Sequence, residues 1–383
     1  MRTTIISHTY VTPMNQAKVQ ALTEFFSDVH MIVPTRVKDT LRTIQFEQMS
    51  QAKFQSTAIE AGFDFHNSTR LYHPWQLIKA LKKTDSQIWL VEQEPYSLST
   101  LQILRLKKKF GVKVLLYSFQ NIFKIYSQPF SWVEKKCLSL SDGLIVGSDS
   151  ASEVWQRKGY PKNKIHILPQ VGVDIDFFPP MNSNIARKKL SLPPAMTFGF
   201  AGRLVEEKGV QILLQAGASL RDYLAKAKKD LPFQILIVGR GPFENELRHL
   251  IKKLSIESMV IFTGAPTHEE MPQYLQAMDV LVLPSLTRAH WREQFGHVLI
   301  EAMACEKPCL ASDADPMNKI IAGSGLCFKE GDAADLALKM QLMLENPSEV
   351  EKKGKAAREE VQRKYTNQVI AEKLFQISEG LVN

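Results

Sequence analysis

The sequence predicts two doubly wound α/β domains, each a parallel sheet wrapped by helices, facing a common cleft. Three observations carry that expectation. Short apolar runs alternate with helical stretches through the first 150 residues; the alternation restarts near residue 196 without repeating the earlier sequence; and 383 residues suit two domains at roughly 150 residues each.

The first strand is expected at 3–7 (TTIIS), followed by a loop over 8–16 and a helix over 17–26. HMIV at 30–33, IWLV at 88–91, VKVLLY at 112–117 and GLIV at 143–146 supply further strands. Parallel sheets carry their binding loops at the carboxyl ends of strands. Those loops hold His8, Tyr10, Glu92, Glu94, Gln120 and Asn121, which become candidate ligand residues. A buried histidine and a proline-marked turn at Pro95 fit the same residues equally well. From Ile165 the chain reads IHILPQVGVDIDFFPP, poor in helical periodicity and rich in proline. This stretch, with the basic piece 184–190 and Pro193-Pro194, reads as the junction between a first domain over 1–180 and a second over 181–365. The second set of strands is expected at 196–202, 233–239, 259–264, 279–285 and 307–312. Helices are expected at 210–224, 332–344, 347–364 and 366–378, and one more is opened by a Thr267/Glu270 capping box.

Composition is that of an ordinary globular chain, 44% hydrophobic and 23% charged. The charge is uneven. Residues 1–190 carry 25 Lys and Arg against 15 Asp and Glu, a net of +10, while the remainder carries 23 against 25. Lys79, Lys82 and Lys83, then Arg105 with Lys107, Lys108 and Lys109, recur beside apolar residues. That pattern suits a surface meeting anionic lipid or an acidic polymer, and equally a solvated helix face. Cys137, Cys305, Cys309 and Cys327 form no C-x-x-C pair and read as reduced core residues. An apolar strand begins almost at the first residue, and no apolar run approaches the roughly 18 residues that span a bilayer. The expectation is a cytoplasmic protein, with the inner face of the cell membrane as a candidate resting place.

The stretch 288–304, RAHWREQFGHVLIEAMA, organises the chemistry. Phe295 and Gly296 sit where a loop turns into a helix, and Val298, Leu299, Ala302 and Met303 give that helix its apolar face. Its first amides suit ligand hydroxyls or anionic groups. Glu293 precedes the helix and Glu301 lies inside it, too far apart to share a proton; two separated carboxylates, each accepting from a diol, suit a ligand with two sugar rings. Arg203 and Lys208 lie on a tight loop after a strand, between Gly202 and Gly209. Two cations so placed can converge on a diphosphate, although Glu206 and Glu207 between them also fit a surface loop with local ion pairs. Gly239 and Gly241 begin a G-x-G-x-x-G pattern that Glu244 breaks.

GRLVEEKG, VGRGP, FTG, LVLPS and EQFGHVLIEAMAC, in this order over 196–312, resemble the donor half of glycosyltransferase family 4, retaining enzymes of the GT-B fold. The linker VGVD and the N-terminal pattern extend the likeness weakly over most of the chain. The resemblance implies that Arg203 and Lys208 hold the donor diphosphate and that Glu293 accepts from hydroxyls of the transferred sugar. The amides near Phe295, Gly296 and His297 would complete the sugar pocket, Glu301 would take the ribose diol, and Gly264 and Ala265 would lie by the base. Gly202 and Gly239 would belong to the same donor site. His8, Tyr10, Glu92, Glu94, Gln120 and Asn121 would serve the acceptor or sugar side, and the segment 366–383 would form a helix returning to the first domain. The resemblance also implies a UDP, GDP or ADP sugar as substrate, a glycan or lipid-linked acceptor, and neither a metal nor a further cofactor nor nucleic acid. Departures are specific: YVTPMN stands where many members carry a glycine pair, Gln120-Asn121 where a histidine is often placed, Glu306 where glycine is common, and DADPM at 313–317 replaces a glycine-containing turn.

Two other classes remain open at this level. A non-catalytic nucleotide-sugar binding protein would carry the same donor loops. An NAD(P)-dependent two-domain oxidoreductase would need an intact glycine fingerprint with an acidic residue about 20 positions on.

Overall fold

The computed structural model describes residues 1–38, 43–63 and 68–383. The chain divides into two units, Met1–Gly172 with Asn367–Asn383, and Val173–Thr366. The observed breaks fall at 172/173 and 366/367 rather than at 180/181 and 365/366.

In the first unit, β1 (Arg2–Ser7), α1 (Ala17–Leu22) and β2 (Asp28–Pro34) are followed by a short antiparallel pair, β3 (Arg36–Lys38) and β4 (Thr43–Gln45). Next come β5 (Gln55–Ile59) and a second antiparallel pair, β6 (Ala61–Phe63) and β7 (Leu71–Tyr72). The chain then runs through α2 (Pro74–Thr84), β8 (Ile88–Glu92), α3 (Leu98–Phe110), β9 (Lys113–Ser118), α4 (Phe130–Leu140), β10 (Gly143–Val146), α5 (Asp149–Arg157) and β11 (Ile165–Ile167). Seven strands make one parallel sheet in the order β11-β10-β9-β8-β1-β2-β5.

Successive residues on each strand feed opposite faces. Ile6, Val91 and Leu116 join the core under α2, α3, α4 and α5, while Ile5, Leu90 and Leu115 join the core on the other face with Val19 and Leu22 of α1. Fully burying a side chain of this size contributes roughly 1.5–3 kcal/mol. A sheet buried on both faces is why these strands read as unbroken apolar runs. The last helix of the chain, α14 (Asn367–Val382), belongs to this unit, where Ile370, Ala371 and Leu374 complete the α1 face and Phe375 meets Phe26 edge-on at 5.1 Å.

Three expectations need correction here. The junction read from Ile165 begins with β11, a three-residue strand whose pairing comes wholly from β10, a partner that local periodicity does not reveal. The edge strand β5, QSTAI, carries no apolar run to mark it, since three of its five residues are polar and only Ile59 is buried. The helix expected over 17–26 stops at Leu22, where the Thr23 hydroxyl donates back to the Gln20 carbonyl at 2.7 Å.

The second unit contains α6 (Ser183–Lys189), β12 (Met196–Ala201), α7 (Val210–Ala227), β13 (Phe233–Val238), α8 (Glu244–Leu254), β14 (Val260–Gly264), α9 (Met271–Ala277) and β15 (Val280–Leu283). It continues through α10 (His297–Ala304), β16 (Cys309–Ser312), α11 (Met317–Ile320), β17 (Leu326–Phe328), α12 (Ala333–Glu345) and α13 (Pro347–Lys364). Its parallel sheet runs β14-β13-β12-β15-β16-β17. Strand order reverses between β12 and β15, a topological switch point where the following loops diverge and leave room for a ligand. In the first unit the reversal lies between β1 and β8. The Thr267/Glu270 box closes differently from expectation. The Glu270 carboxylate does accept from the Thr267 amide at 2.8 Å, but α9 starts only at Met271, with Pro272 in its first turn.

Candidate functional site

The loops after β12, β13, β14 and β15 all leave the carboxyl edge of the second sheet from four neighbouring strands. Two of them meet across the switch point. Lys208, after β12, places its ammonium 2.6 Å from the Glu293 carboxylate, after β15. The same carboxylate oxygen accepts from the Ser285 hydroxyl at 3.0 Å, and the Lys208 ammonium lies 5.4 Å from the centroid of the Trp291 ring. The two loops are stapled further out by Glu206–Arg288 at 3.1 Å and Glu207–His290 at 3.3 Å, and by the Leu286 amide donating to the Glu207 carbonyl at 2.7 Å. Glu206 and Glu207 therefore bind the neighbouring loop and leave Lys208 to Glu293. Arg203 is exposed at the start of the same loop, and among the described residues no carboxylate pairs with it.

Glycine is required where these loops touch. A Cβ at Gly209, whose φ is +71°, would sit 1.8 Å from the Pro284 carbonyl oxygen. At Gly239 it would sit 1.9 Å from the Gly202 carbonyl oxygen, and at Gly241 2.1 Å from that of Leu204. The glycine pair after β13 thus serves loop packing against the turn that carries Arg203, which accounts for the incomplete dinucleotide pattern. Gly264, at φ +75°, lies against the Arg240 guanidinium, with exposed Ala265 beside it. Gly296, at φ +77°, is the N-cap of α10, and as a glycine it offers no side chain to cap the first amides of that helix. Phe295 packs edge-on to His297 at 5.7 Å and to Tyr365 at 5.8 Å. Glu301, one turn into α10, has a carboxylate that accepts no hydrogen bond among the described residues, and burial pushes it up to about 7.

In the first unit the switch point between β1 and β8 opens a pocket of about 110 Å³. His8, Glu94 and Phe119, which follow β1, β8 and β9, line it together with Arg70, Gln93 and Tyr96. The Glu94 carboxylate accepts from the Ser118 hydroxyl and the Phe119 amide, each at 2.7 Å. Burial outweighs those donors and raises its carboxyl to about 7.

The remaining first-unit candidates do not share that pocket. Tyr10 and Glu92 are 0% and 3% exposed. The Glu92 carboxylate pairs with buried Lys18 and accepts from the Tyr10 hydroxyl at 2.6 Å and the Gln170 amide at 3.0 Å, so its capacity is used inside the unit. Gln120 and Asn121 are likewise buried. The Gln120 amide donates to the Ile122 carbonyl at 3.0 Å and accepts from Lys158 at 3.1 Å, while Lys158 also pairs with Glu134 at 2.6 Å.

Residues 182–360 match the family model described as "Glycosyl transferases group 1". The D-inositol 3-phosphate glycosyltransferase of Pseudarthrobacter chlorophenolicus is 31% identical over 216 residues, covering 55% of this chain and 49% of that protein. The chain spans about half the length of the first curated relatives it matches. Among solved structures, sucrose-phosphate synthase from Thermosynechococcus elongatus superposes with a TM-score of 0.72 at 22% identity, covering 99% of this chain and 98% of that one. Anabaena HepE in complex with UDP gives 0.71 at 16% identity, covering 99% and 100%. The fold is GT-B.

Within this GT-B chain, sequence reasoning missed Ser285, Trp291 and Arg70. Ser285 is 1% exposed, and its carbonyl accepts from the Ser312 hydroxyl at 2.7 Å, so two strands fix the hydroxyl that holds Glu293. The signal is present in LVLPS, where a serine follows a buried strand after a single proline. Trp291 forms a two-residue hairpin with Arg288, whose amide donates to the Trp291 carbonyl at 2.8 Å; no spacing rule for short loops marks such a turn in advance. Arg70 is 2% exposed and far in sequence from the other pocket residues.

Proposed function

We propose that the protein is a retaining glycosyltransferase that moves a hexose-type sugar from a nucleoside-diphosphate donor to a glycan or lipid-linked acceptor in cell-surface polysaccharide or glycolipid synthesis. One observation carries the reading: the Lys208–Glu293 pair joins the loop after β12 to the loop after β15 at the switch point of a GT-B unit, where a cation and a carboxylate would meet a diphosphate and sugar hydroxyls together. The match over 182–360 and the UDP complex of HepE support it.

In the proposed reaction the bond between the sugar and the diphosphate breaks, and negative charge grows on the leaving oxygen. Lys208 and Arg203 stabilise that charge more in the transition state than in the ground state. Glu293 accepts from hydroxyls of the departing sugar and keeps the Lys208 ammonium aimed across the loop junction. Glu301 accepts from the ribose diol. The acceptor hydroxyl enters on the face that the diphosphate leaves and forms the new bond there, its proton passing to a leaving phosphate oxygen. Of the first-unit residues, His8 and Glu94 are the ones we assign to the acceptor side, because they line an open pocket and Tyr10 and Glu92 do not.

A thermal-shift series with UDP, GDP and ADP, followed by assay of nucleotide release from the matching sugars, tests the reading. One nucleotide diphosphate is expected to raise Tm and its sugar to be consumed. A shift without turnover would identify a binding protein instead, and no shift with any of the three would remove both readings.

The acidity of Glu301 gives a second check. Its folded-state value of about 7 lies above the ordinary 4.5, so the folded protein holds this proton more tightly than the unfolded chain. The resulting stabilisation is complete below about 4.5 and is lost as pH rises through about 7. A ribose diol donates to the ionised form, so nucleotide affinity is expected to strengthen from below to above that value. Glu301→Gln is expected to abolish this part of the pH dependence, read as Kd at each pH by calorimetry.

A further inference from the structure

Three helices on the outer face of the first unit carry cations that no ion pair among the described residues balances. Helices α2, α3 and α4 cover the same side of the sheet, since all three contribute to one core cluster. On α2 the exposed residues Trp75, Lys79, Lys82 and Lys83 fall at helical spacing on one stripe. On α3 the exposed stripe is Arg105, Lys108 and Lys109; on α4 it is Trp132, Lys135 and Lys136. None of these eight cations forms an ion pair among the described residues. The one carboxylate on these three helices, Glu134, is buried and held by Lys158. Like charges three and four residues apart on a helix repel, so the α2 and α3 stripes store repulsion that an anionic surface would relieve.

The same face exposes large apolar groups. Trp75 is 70% exposed in the first turn of α2, and Trp132 is 49% exposed in the first turn of α4. Ile125, 82% exposed, lies in the loop that leads into α4. In a parallel α/β unit, helix starts follow strand carboxyl ends, so these three groups lie toward the edge that carries the His8/Glu94 pocket. Tryptophan at the rim of a cationic plane suits the interface between lipid headgroups and acyl chains.

We propose that α2, α3 and α4 form a docking surface for an anionic lipid bilayer, with Trp75 and Trp132 entering the headgroup boundary and the cation stripes lying along it. The proposal rests on the acceptor reading only in its consequence: a membrane-anchored acceptor would arrive at the pocket edge. A duplex nucleic acid would satisfy the cations but would leave two tryptophans and an isoleucine on one rim without an apolar partner.

Sedimentation with vesicles tests this in the absence of any sugar donor, so a failed transfer assay has no bearing on the result. The full chain is expected to bind vesicles of phosphatidylcholine with roughly one-third phosphatidylglycerol and not phosphatidylcholine alone, with binding weakened by added salt. Lys79→Glu with Lys82→Glu and Lys83→Glu is expected to weaken binding at least roughly tenfold. Trp75→Ala with Trp132→Ala is expected to weaken it with the chain still folding cooperatively, since Trp75 is mostly exposed and Trp132 half-exposed. Absence of binding to the anionic vesicles overturns the proposal. So does binding that the tryptophan variant leaves intact, or retention on RNA or heparin without retention on vesicles.

Discussion

Glu293→Ala is expected to lower kcat for sugar transfer by about 100-fold or more, with a smaller change in KM for the donor. The carboxylate does two jobs in the proposed site. It offers oxygens to the sugar hydroxyls as the ring takes up positive charge, and it holds the Lys208 ammonium at 2.6 Å with the Ser285 hydroxyl as a second anchor at 3.0 Å. Alanine removes both functions and leaves the ammonium free to swing away from the leaving phosphate. Lys208→Ala removes the cation itself and is expected to cost a similar factor, because fixed charge aimed at a developing oxyanion is worth about 10²–10³ in rate. The two changes act on one unit, so the double variant is expected to fall little below the worse single one. Arg203→Ala should behave differently. Arg203 is exposed and outside the pair, so its loss is expected to weaken nucleotide-diphosphate binding, measured by calorimetry, more than it slows the bound donor. Near-normal turnover by Glu293→Ala would take that residue out of the site and with it the role given to Lys208.

The sequence showed the strands of both sheets well wherever burial on two faces made them apolar throughout, as in GLIV for β10 and the buried part of β13. It failed where pairing is supplied from far away, as for β11, or where an edge strand keeps a polar face, as for β5. The residues proposed for the donor side stand in local patterns, a lysine five residues after an arginine and a glutamate just before a helix, and the structure brings that lysine and that glutamate together. What spacing could not show is which charge meets which. Glu206 and Glu207 stood closer in sequence to Lys208 than Glu293 does, yet they bind Arg288 and His290. On the first unit the same limit worked the other way. A glutamate at the end of a strand reads identically whether it faces a pocket, as Glu94 does, or a buried lysine, as Glu92 does.

That distinction predicts a stability effect. Lys18 and Glu92 have side chains 1% and 4% exposed, and each is the other's ion-pair partner. Lys18→Met is expected to destabilise the first unit by about 3–5 kcal/mol, because it leaves a buried carboxylate with only the Tyr10 hydroxyl and the Gln170 amide for compensation. Removing the charge on the other side should then restore most of the loss. Glu92→Gln keeps an oxygen for Tyr10 while leaving no ion to solvate, so Lys18→Met with Glu92→Gln is expected to be more stable than Lys18→Met alone. Denaturant melts of the four proteins, followed by near-UV circular dichroism, give the coupling as a double-mutant cycle. Nucleotide affinity should not change through the cycle, since these residues belong to the first unit's core and not to the loops around Lys208. If Lys18→Met proved as stable as the parent chain but lost sugar transfer, Glu92 would have to be returned to the acceptor side, and the buried network would have to open toward a ligand.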